Sequence, residues 1–546
     1  MPNSLLLQEF RHNLSSPSLS QQQTLLKITK NNKDTVYGKK HEFLKISREE
    51  HFRKGVPLNQ YDGLKPYIDR LMNGERNILC HDSIKAFFET SGTTSQPKYI
   101  PVTSSFINDK AKAMNIYWKL IYDKFPDLQY KKIVMNFSSG TSFKTTENGI
   151  IIGQESDYWN LITRNIKKTS RWPIYYDLLK IDDYEVRYYC IALLLLQDEV
   201  GAFMSPNPST LLVLFKTIEA NFPELINDIS NGKLSCRVIV KGEYRKKIND
   251  KLKASPTRAS ELSKILTASS GKIPFSKIWP TLRLYSCWQS TMLTPYVDQV
   301  SSYLSGIDCW DHLYQASEAL IAIPDHPNQR GGILNIIGNY FEFIPESKTD
   351  QKNPPTCTLS EVEKGKSYEI VITNQSGLYR YRIGDIIKVV GFKEKTPRIE
   401  FEGRTGRVCS MTGEKITEKQ ISEVFEASKS FLRIAILDYF VFPINDALPH
   451  YGLMVFTSSI PPPVILHDFV VAFEKNLCCH NIEYRAKRAS LRLGSVKVFL
   501  SNSEMPGNCF PRGCDGIISD QTKPTRLSKI FNQHEKFKIH QCAQVG

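Results

Sequence analysis

The sequence predicts an α/β protein, because helical and strand-like patterns alternate along most of its 546 residues. Apolar residues recur every three or four positions in three segments, which predicts helices over residues 105–124, 184–199 and 209–228. Short runs rich in β-branched and aromatic residues lie between and after these segments and predict strands. The predicted strands cover residues 132–137, 149–153, 237–241, 283–288 and 368–373.

Strands dominate the pattern between residues 331 and 401. Residues 385–392 and 398–401 predict the two strands of a hairpin, and residues 393–397 predict its turn. The first of these strands begins at Asp385, which follows Gly384.

A change of organisation is predicted just after this hairpin. Gly403 and Gly406 bracket Arg404 and Thr405, and glycines placed in this way are typical of a hinge. Beyond them, the pattern predicts helices over residues 416–430 and 464–478. The sequence therefore predicts a large amino-terminal domain of residues 1–406 and a smaller carboxy-terminal domain of residues 407–546.

Composition favours a soluble enzyme. Hydrophobic residues make up 41% of the chain and charged residues 23%, which are ordinary values for a folded globular protein. No apolar run is long enough to span a bilayer, and the first residues lack the pattern of a signal peptide, so we expect a cytoplasmic protein without a membrane partner. The 12 cysteines show no repeated metal-ligand spacing and are expected to be reduced.

The net charge of +15 raises the alternative of a polyanionic partner, since basic surfaces attract phosphates. The basic residues are dispersed, however, and no run of Lys and Arg is interleaved with stacking aromatic residues. We therefore expect no dedicated nucleic-acid site, and a cationic cleft for ATP accounts for part of the charge equally well.

Residues 90–101 contain the most informative motif, a hydroxyl-rich glycine loop that ends near Lys98. Gly92 allows a close approach of the backbone to a ligand, and Lys98 supplies a mobile positive charge. The spacing differs from that of the P-loop, so a P-loop fold is not implied. The loop favours nucleotide phosphates as ligands, and an ordinary turn is the alternative. Its hydroxyl residues are Ser91, Thr93, Thr94 and Ser95.

The second motif is residues 314–318, which follow a strand-like segment. Tyr314 offers a ring for base stacking, and Glu318 offers a carboxylate of the kind that binds Mg²⁺. Alone, the pair fits a purely structural role as well.

The third motif is residues 379–385. Asp385 follows a glycine at the start of a strand, where a carboxylate can accept hydrogen bonds from both hydroxyls of a ribose. Arg380 and Arg382 can hold that carboxylate or a phosphate, and a salt-bridged turn is the competing interpretation.

The order and spacing of these motifs resemble the adenylate-forming superfamily and, within it, the Gretchen Hagen three family of acyl acid amido synthetases. The resemblance extends in order from Phe52 to Leu527. The further segments that carry it are residues 52–57, 61, 66–70, 74–75, 279–280, 286–288, 339–343, 368–373, 413–415, 418, 481–484, 487–488 and 521–527.

The resemblance implies a large mixed-sheet amino-terminal domain and a smaller, mobile α+β carboxy-terminal domain. It also implies a two-step reaction with ATP and Mg²⁺. A carboxylic acid attacks the α-phosphate of ATP to give an acyl adenylate and pyrophosphate, and an amino acid or related amine then takes the acyl group. Two alternatives stay open, namely an acyl-CoA ligase that shares the first step and an inactive basic scaffold or nucleic-acid-binding protein.

The resemblance also implies a role for each motif residue. Tyr314 would stack on adenine, Ser317 would lie beside the α-phosphate, and Glu318 would ligate Mg²⁺. Asp385 would hold the ribose, while Phe401 and Arg404 would close the nucleotide site. The β- and γ-phosphates would be held by Ser91, Gly92, Thr93, Thr94 and Lys98. Lys523 would come from the smaller domain and stabilise negative charge at the α-phosphate.

Two positions depart from the superfamily pattern, since Gln96 and Gln315 stand where small residues are common. Every group expected to carry charge is nevertheless present. The acyl pocket is expected near residues 285–292 and Phe341, where the aromatic residues could equally belong to the core. Isolated histidines such as His312 receive no role, and neither the acyl acid, the acceptor nor the oligomeric state is specified by the sequence.

Overall fold

The structure is a computed structural model that describes residues 4–90, 97–135, 143–163, 178–181, 183–269, 273–289, 294–349, 351–405, 408–434, 436–457, 459–502, 527–528 and 539–544. The chain divides into two compact units. The first unit contains residues 1–89 and 99–405, and the second contains residues 90–98 and 406–546.

The first unit combines fourteen described helices with strands in three sheets. The sequence of α6 is amphipathic, since its buried positions recur every three or four residues along one face. Thr103 begins this helix, because its side chain accepts a hydrogen bond from the Phe106 amide. The helices are α1 (Ser4–Leu14), α2 (Pro17–Asn31), α3 (Val36–Lys40), α4 (Glu49–Gly55), α5 (Tyr61–Met72), α6 (Ser104–Lys124), α7 (Glu155–Thr163), α8 (Tyr184–Leu195), α9 (Pro208–Ala220), α10 (Phe222–Asn231), α11 (Gly242–Lys251), α12 (Pro256–Ala268), α13 (Phe275–Ile278) and α14 (Thr294–Tyr303).

The strands of the first unit alternate with these helices up to residue 311 and then follow one another closely. They are β1 (Ile84–Thr90), β2 (Lys98–Thr103), β3 (Lys132–Met135), β4 (Lys144–Thr145), β5 (Ile151–Gly153), β6 (Val200–Met204), β7 (Leu284–Cys287), β8 (Asp308–Asp311), β9 (Tyr314–Gln315), β10 (Leu320–Ile323), β11 (Gly332–Leu334), β12 (Asn339–Pro345), β13 (Ser367–Asn374), β14 (Tyr381–Lys393) and β15 (Thr396–Arg404).

A seven-stranded antiparallel sheet carries two of the three candidate motifs. Its strand order is β12-β13-β14-β15-β11-β10-β9. The long hairpin β14–β15 pairs from Lys393 and Thr396 at its turn to Asp385 and Arg404 at its open end. The hairpin predicted from the sequence is therefore confirmed, although each strand is longer than predicted.

Two further sheets complete the first unit. Strands β3-β6-β7-β8 form a parallel sheet, and its helical surroundings form a second hydrophobic core. Strands β6 and β7 are buried along their whole length, as expected for a sheet covered on both faces. The remaining sheet has the order β2-β1-β5-β4.

Two sequence predictions in this unit are wrong. Residues 209–228 form two helices, α9 and α10, because Pro223 lacks an amide hydrogen and stands in the first turn of α10. Residues 237–241 form no strand. The Val238 carbonyl accepts a hydrogen bond from the Arg245 guanidinium instead of a neighbouring strand, and Ile239 is 86% exposed.

The second unit places helices on one face of a four-stranded sheet. Its sheet order is β18-β19-β20-β21, and a separate two-stranded sheet joins β16 and β17. Side chains alternate across β18, since Val441 packs in the larger core of this unit and Phe440 in the smaller one. The elements are β16 (Val408–Cys409), β17 (Ile416–Thr417), α15 (Glu418–Ser428), β18 (Ile436–Ile444), β19 (His450–Thr457), α16 (Pro463–His480), α17 (Ile482–Ala489), β20 (Lys497–Ser501) and β21 (Gln541–Gln544).

Candidate active site

A tight hairpin turn presents the second sequence motif. Strand β9 contains Tyr314 and pairs with β10, and the two strands are joined through residues 316–319. The Ala316 amide donates to the Ala319 carbonyl over 2.8 Å, and the Ala319 amide donates to the Ala316 carbonyl over 3.2 Å. Ser317 and Glu318 therefore occupy the two central positions of the turn.

The Glu318 carboxylate lies in a buried position. The residue is 6% exposed, and its Oε2 atom is buried with no hydrogen-bond partner among the residues that the structure describes. Its backbone carbonyl is fixed by the Asn374 side-chain amide, which donates over 2.8 Å. Because a buried carboxylate oxygen needs a donor or a cation, and because Mg²⁺ prefers oxygen ligands, Glu318 fits the metal role expected of it.

A buried lysine contacts the same turn from helix α6. Lys110 Nζ donates to the Ala316 carbonyl over 2.8 Å and forms an ion pair with Glu155 Oε1 at 2.5 Å. The Trp159 indole nitrogen donates to the same Glu155 oxygen over 3.0 Å. The sequence motifs did not indicate Lys110. The available signal was its place on the apolar face of α6, where Phe106 and Ala113 are also buried.

The third motif meets the second at the open end of the β14–β15 hairpin. Asp385 is 3% exposed, and its Oδ2 atom accepts a hydrogen bond of 2.8 Å from the Tyr314 hydroxyl. Gly384 precedes it with φ of +80°, and the Gly384 carbonyl accepts a 2.7 Å hydrogen bond from the Thr405 amide. Glycine suits this left-handed backbone, which turns the chain as it enters the paired part of the strand.

An aromatic side chain of β15 completes this group. The Phe401 ring lies 5.7 Å from the Tyr314 ring, centroid to centroid, at an interplanar angle of 70°. Phe401 stands opposite Ile387 in the hairpin, two positions beyond Asp385 on the neighbouring strand. The structure thus brings together a half-buried tyrosine ring, a phenylalanine ring and a buried carboxylate, which can contact a base and a sugar.

The arginines of the third motif do not hold Asp385 or a free phosphate. Arg380 Nη2 pairs with Glu342 at 2.8 Å, and Arg382 Nη2 pairs with Glu369 at 2.6 Å. Arg380 is 6% exposed, and its Nη1 atom also donates to backbone carbonyls of the segment before α5. The salt-bridged interpretation of this segment is therefore the correct one for both arginines.

A buried polar cluster lies at the carboxyl ends of β7 and β8. Ser286 Oγ is 3.0 Å from the Tyr117 hydroxyl and 3.0 Å from His312 Nδ1. Burial lowers the pKa of His312 to about 4, so the ring is neutral near pH 7. Burial raises the pKa of Asp311 to about 7, although three backbone amides donate to its carboxylate and favour its charged form.

The expected acyl-pocket segment is only partly described. Tyr285 is 2% exposed and belongs to the second core, and Phe341 is fully buried in the first core. Both are core residues in the structure, the alternative that the sequence left open. Residues 290–293 lie outside the described residues.

The remaining predicted site residues are only partly placed. Lys98 is half-buried and begins β2, and Arg404 ends β15 opposite Asp385, with its side chain outside the described atoms. Ser91, Gly92, Thr93, Thr94 and Lys523 lie outside the described residues. Of the predicted residues, the structure therefore gathers Tyr314, Ser317, Glu318, Asp385 and Phe401.

The described part of the chain contains neither a preformed metal-binding group nor a membrane-spanning helix. Within it, no group of three or more His, Cys, Asp or Glu side chains is arranged to hold a metal ion. A Mg²⁺ ion at Glu318 would thus take further ligands from solvent or phosphate oxygens, as this metal commonly does. The same residues include no helix with the length and apolar character needed to cross a bilayer.

Comparison with solved structures defines the class of fold. The AtGH3.15 acyl acid amido synthetase, solved in complex with 2,4-DB, aligns with a TM-score of 0.66 over 98% of this chain and 96% of its own chain, at 22% identity. This chain therefore shares the mixed α/β fold of that structure, with a large amino-terminal part and a carboxy-terminal domain, and the predicted fold class is confirmed.

Sequence comparison then identifies the family. The GH3 family N-terminal domain matches residues 6–309, and the GH3 family central domain matches residues 332–404. The chain belongs to the GH3 family, as the motifs predicted. A jasmonoyl–L-amino acid synthetase of Nicotiana attenuata, JAR4, is 28% identical over 454 residues, which cover 80% of this chain and 78% of the relative. The indole-3-acetic acid-amido synthetase GH3.15 of Arabidopsis thaliana is 27% identical over 447 residues, covering 77% and 72%.

Proposed function

We propose that this GH3 family member is an ATP-dependent acyl acid amido synthetase, a ligase that joins a carboxylic acid to an amino acid or related amine. In the first step, a carboxylate oxygen bonds to the α-phosphorus of ATP, and pyrophosphate leaves with the electron pair of the broken P–O bond. In the second step, the amine nitrogen bonds to the acyl carbon, and AMP leaves. The amine loses one proton in this second step.

The observation that carries the proposal is the contact between the second and third motifs. The Tyr314 hydroxyl donates to Asp385 over 2.8 Å, and the Phe401 ring lies against the Tyr314 ring. Adenine would stack on Tyr314, while the ribose hydroxyls would donate to Asp385 and Phe401 would close the site beside them. Membership of the GH3 family and the activities named for its relatives support the same assignment.

The turn beside this group would handle the phosphates. Ser317 would contact the α-phosphate, and the buried Glu318 carboxylate would ligate Mg²⁺, which neutralises phosphate charge when bound. The β- and γ-phosphates would be held by Ser91, Gly92, Thr93, Thr94 and Lys98. Arg404 and Lys523 would complete the site, with Lys523 supplied by residues 407–546 as the mobile domain.

We propose that the protein acts in the cytoplasm. The cysteines of the described residues are all free thiols, which agrees with a reducing compartment such as the cytoplasm. No nucleic-acid or membrane partner is proposed.

The decisive experiment is acid-dependent exchange of labelled pyrophosphate into ATP, with Mg²⁺, a panel of carboxylic acids and no amine. We expect exchange with at least one acid, and loss of exchange in an Asp385→Ala variant that still folds. An exposed carboxylate on the same hairpin supplies the matched control, since Glu394→Gln should exchange like the wild type.

The acceptor is tested next, with amino acids and coenzyme A offered separately to the enzyme and the active acid. An amide product supports the proposal, whereas a thioester would make the protein an acyl-CoA ligase. Absence of exchange with every acid, together with no calorimetric binding of Mg²⁺ and ATP and strongly salt-dependent binding to polyanions, would replace the proposal by the basic scaffold.

A further inference from the structure

A buried cation in helix α6 lies next to the turn that carries Ser317 and Glu318. Lys110 is 3% exposed, and its side chain lies 4.9 Å from the centre of the Phe106 ring. Removing an ammonium group from water is costly, so a buried lysine requires good partners. The partners of Lys110 indicate why this position is charged.

Lys110 has two oxygen partners of different kinds. Its ion pair with Glu155, at 2.5 Å, balances its charge. Its second bond, 2.8 Å long, goes to the Ala316 carbonyl, the first residue of the turn. A hydrogen bond from a charged donor is about twice as strong as one between neutral groups, so this contact fixes the entry to the turn firmly.

The centre of the turn is fixed by a second residue, Asn374. The Asn374 amide donates to the Glu318 carbonyl over 2.8 Å, and the Asn374 side-chain oxygen accepts from the Ser376 amide over 3.0 Å. The turn is thus held at Ala316 by Lys110 and at Glu318 by Asn374. Neither Lys110 nor Asn374 has a polar contact with the Glu318 carboxylate. The buried Oε2 atom of that carboxylate has no hydrogen-bond partner among the described residues.

We propose that Lys110 is a positioning residue of the adenylation site, which sets the Glu318 carboxylate and the Ser317 hydroxyl through its hydrogen bond to the Ala316 carbonyl. This inference rests on the proposed function, because it gives the turn its role toward Mg²⁺ and the α-phosphate. Lys110 acts through the backbone and contacts neither ATP nor the metal. Residues that orient a metal ligand in this way commonly change metal affinity or activity by about 10- to 100-fold when they are replaced.

Three variants separate positioning from simple stability. Lys110→Met removes both polar contacts but leaves Glu155 as an uncompensated buried charge, which can prevent folding. The double variant Lys110→Met with Glu155→Gln removes that charge, and the glutamine oxygen can still accept from the Trp159 indole. Glu155→Gln alone is the matched control: it leaves Lys110 as a buried cation with neutral acceptors only, which lowers stability, but it keeps the Lys110 contact with Ala316.

The first readout uses the ligand-free protein and does not depend on activity. Amide hydrogen exchange is followed in a peptide that spans residues 313–322. At this turn we expect faster exchange in the double variant and wild-type exchange in Glu155→Gln, because only the double variant loses the hydrogen bond to the Ala316 carbonyl.

The second readout is the Mg²⁺ requirement. Calorimetry measures ATP binding with and without Mg²⁺, and pyrophosphate exchange is titrated with Mg²⁺ at saturating ATP and acid. In the double variant we expect the half-saturating Mg²⁺ concentration to rise by about 10- to 100-fold, with ATP binding in the absence of Mg²⁺ nearly unchanged. A purely structural defect would lower the maximal rate and leave the half-saturating concentration where it was.

The outcomes are distinguishable. A double variant with wild-type turn protection and wild-type Mg²⁺ requirement overturns the positioning role. A Glu155→Gln variant as impaired as the double variant also overturns it, because the ion pair would then be the functional contact. Failure of the wild type itself to exchange pyrophosphate with any acid counts against the proposed function, while hydrogen exchange still tests the effect of Lys110 on the turn.

Discussion

Replacing Glu318 by glutamine should change stability and activity in opposite directions. In the ligand-free protein, the Glu318 Oε2 atom is buried with no hydrogen-bond partner among the described residues. A buried polar group without a hydrogen-bond partner costs about 1–3 kcal/mol of stability, and the cost is larger for a charged carboxylate than for a neutral amide. We therefore expect Glu318→Gln to raise the free energy of unfolding of the ligand-free protein by about 1 kcal/mol.

The same change should remove most of the activity, because a neutral amide is a poor ligand for Mg²⁺. A bound metal ion contributes several kcal/mol to stabilising phosphate charge, so pyrophosphate exchange should fall by about 100-fold or more. Functional groups placed at some cost to folding are a recognised trade-off between stability and activity.

The assay is urea unfolding of the ligand-free protein, followed by tryptophan fluorescence. All six tryptophans of the sequence precede residue 406, so the signal reports on the first unit. Glu346→Gln, which changes an exposed carboxylate, should alter neither quantity. A Glu318→Gln protein destabilised by more than about 1 kcal/mol would refute the reasoning, since the carboxylate would then be making contacts that hold the fold.

Three other changes test the surrounding structure. Tyr314→Phe removes the 2.8 Å hydrogen bond to Asp385. A hydrogen bond to a charged group contributes about 1.5–3 kcal/mol, so ATP binding measured by calorimetry should weaken by up to about 100-fold. The far-ultraviolet circular dichroism should stay the same. Arg380→Met leaves the buried Glu342 carboxylate without its partner and should lower the free energy of unfolding by about 3–5 kcal/mol, and a loss below 1 kcal/mol would contradict the structural role. Because burial lowers the pKa of His312 to about 4, the folded state binds fewer protons than the unfolded state between about pH 4 and 6.5. This histidine therefore costs no stability above pH 6.5, and its cost in stability increases as the pH falls toward 4. His312→Asn should therefore lose less stability than the wild type between pH 6.5 and 4 in parallel urea titrations, and identical pH profiles would show that folding does not lower the pKa of His312.

The sequence predicted those features that depend on local pattern. The hairpin β14–β15 could be predicted because its turn residues and its apolar alternation agree. The helix predicted over residues 105–124 from its apolar spacing was likewise confirmed as α6, and the structure adds Thr103 as its capping residue. The signal for the break between α9 and α10 was Pro223, because proline is disfavoured in helix interiors, but the apolar periodicity continues across it.

The site was predicted less completely, because spacing along the chain does not reveal tertiary partners. Tyr314 and Asp385 were each predicted separately, but the hydrogen bond between them depends on the order of strands in the sheet. The motif pattern could not show that Arg380 is committed to Glu342, 38 residues away. Lys110 was missed for the same reason, since a lysine on a helix is ordinarily a solvated residue and only the folded structure shows what it contacts.

The turn at residues 316–319 has a consequence for how the protein acquires activity. The contacts of this turn join residues separated by 206 positions for Lys110 and Ala316 and by 56 for Asn374 and Glu318. The neighbouring bond between Tyr314 and Asp385 joins residues 71 positions apart. We expect contacts between such distant positions to form late in folding, because each closes a long loop before it gains stability. Recovery of nucleotide binding during refolding should therefore lag behind recovery of helix content, and a fragment that ends before Asp385 should bind no nucleotide even where its helices form.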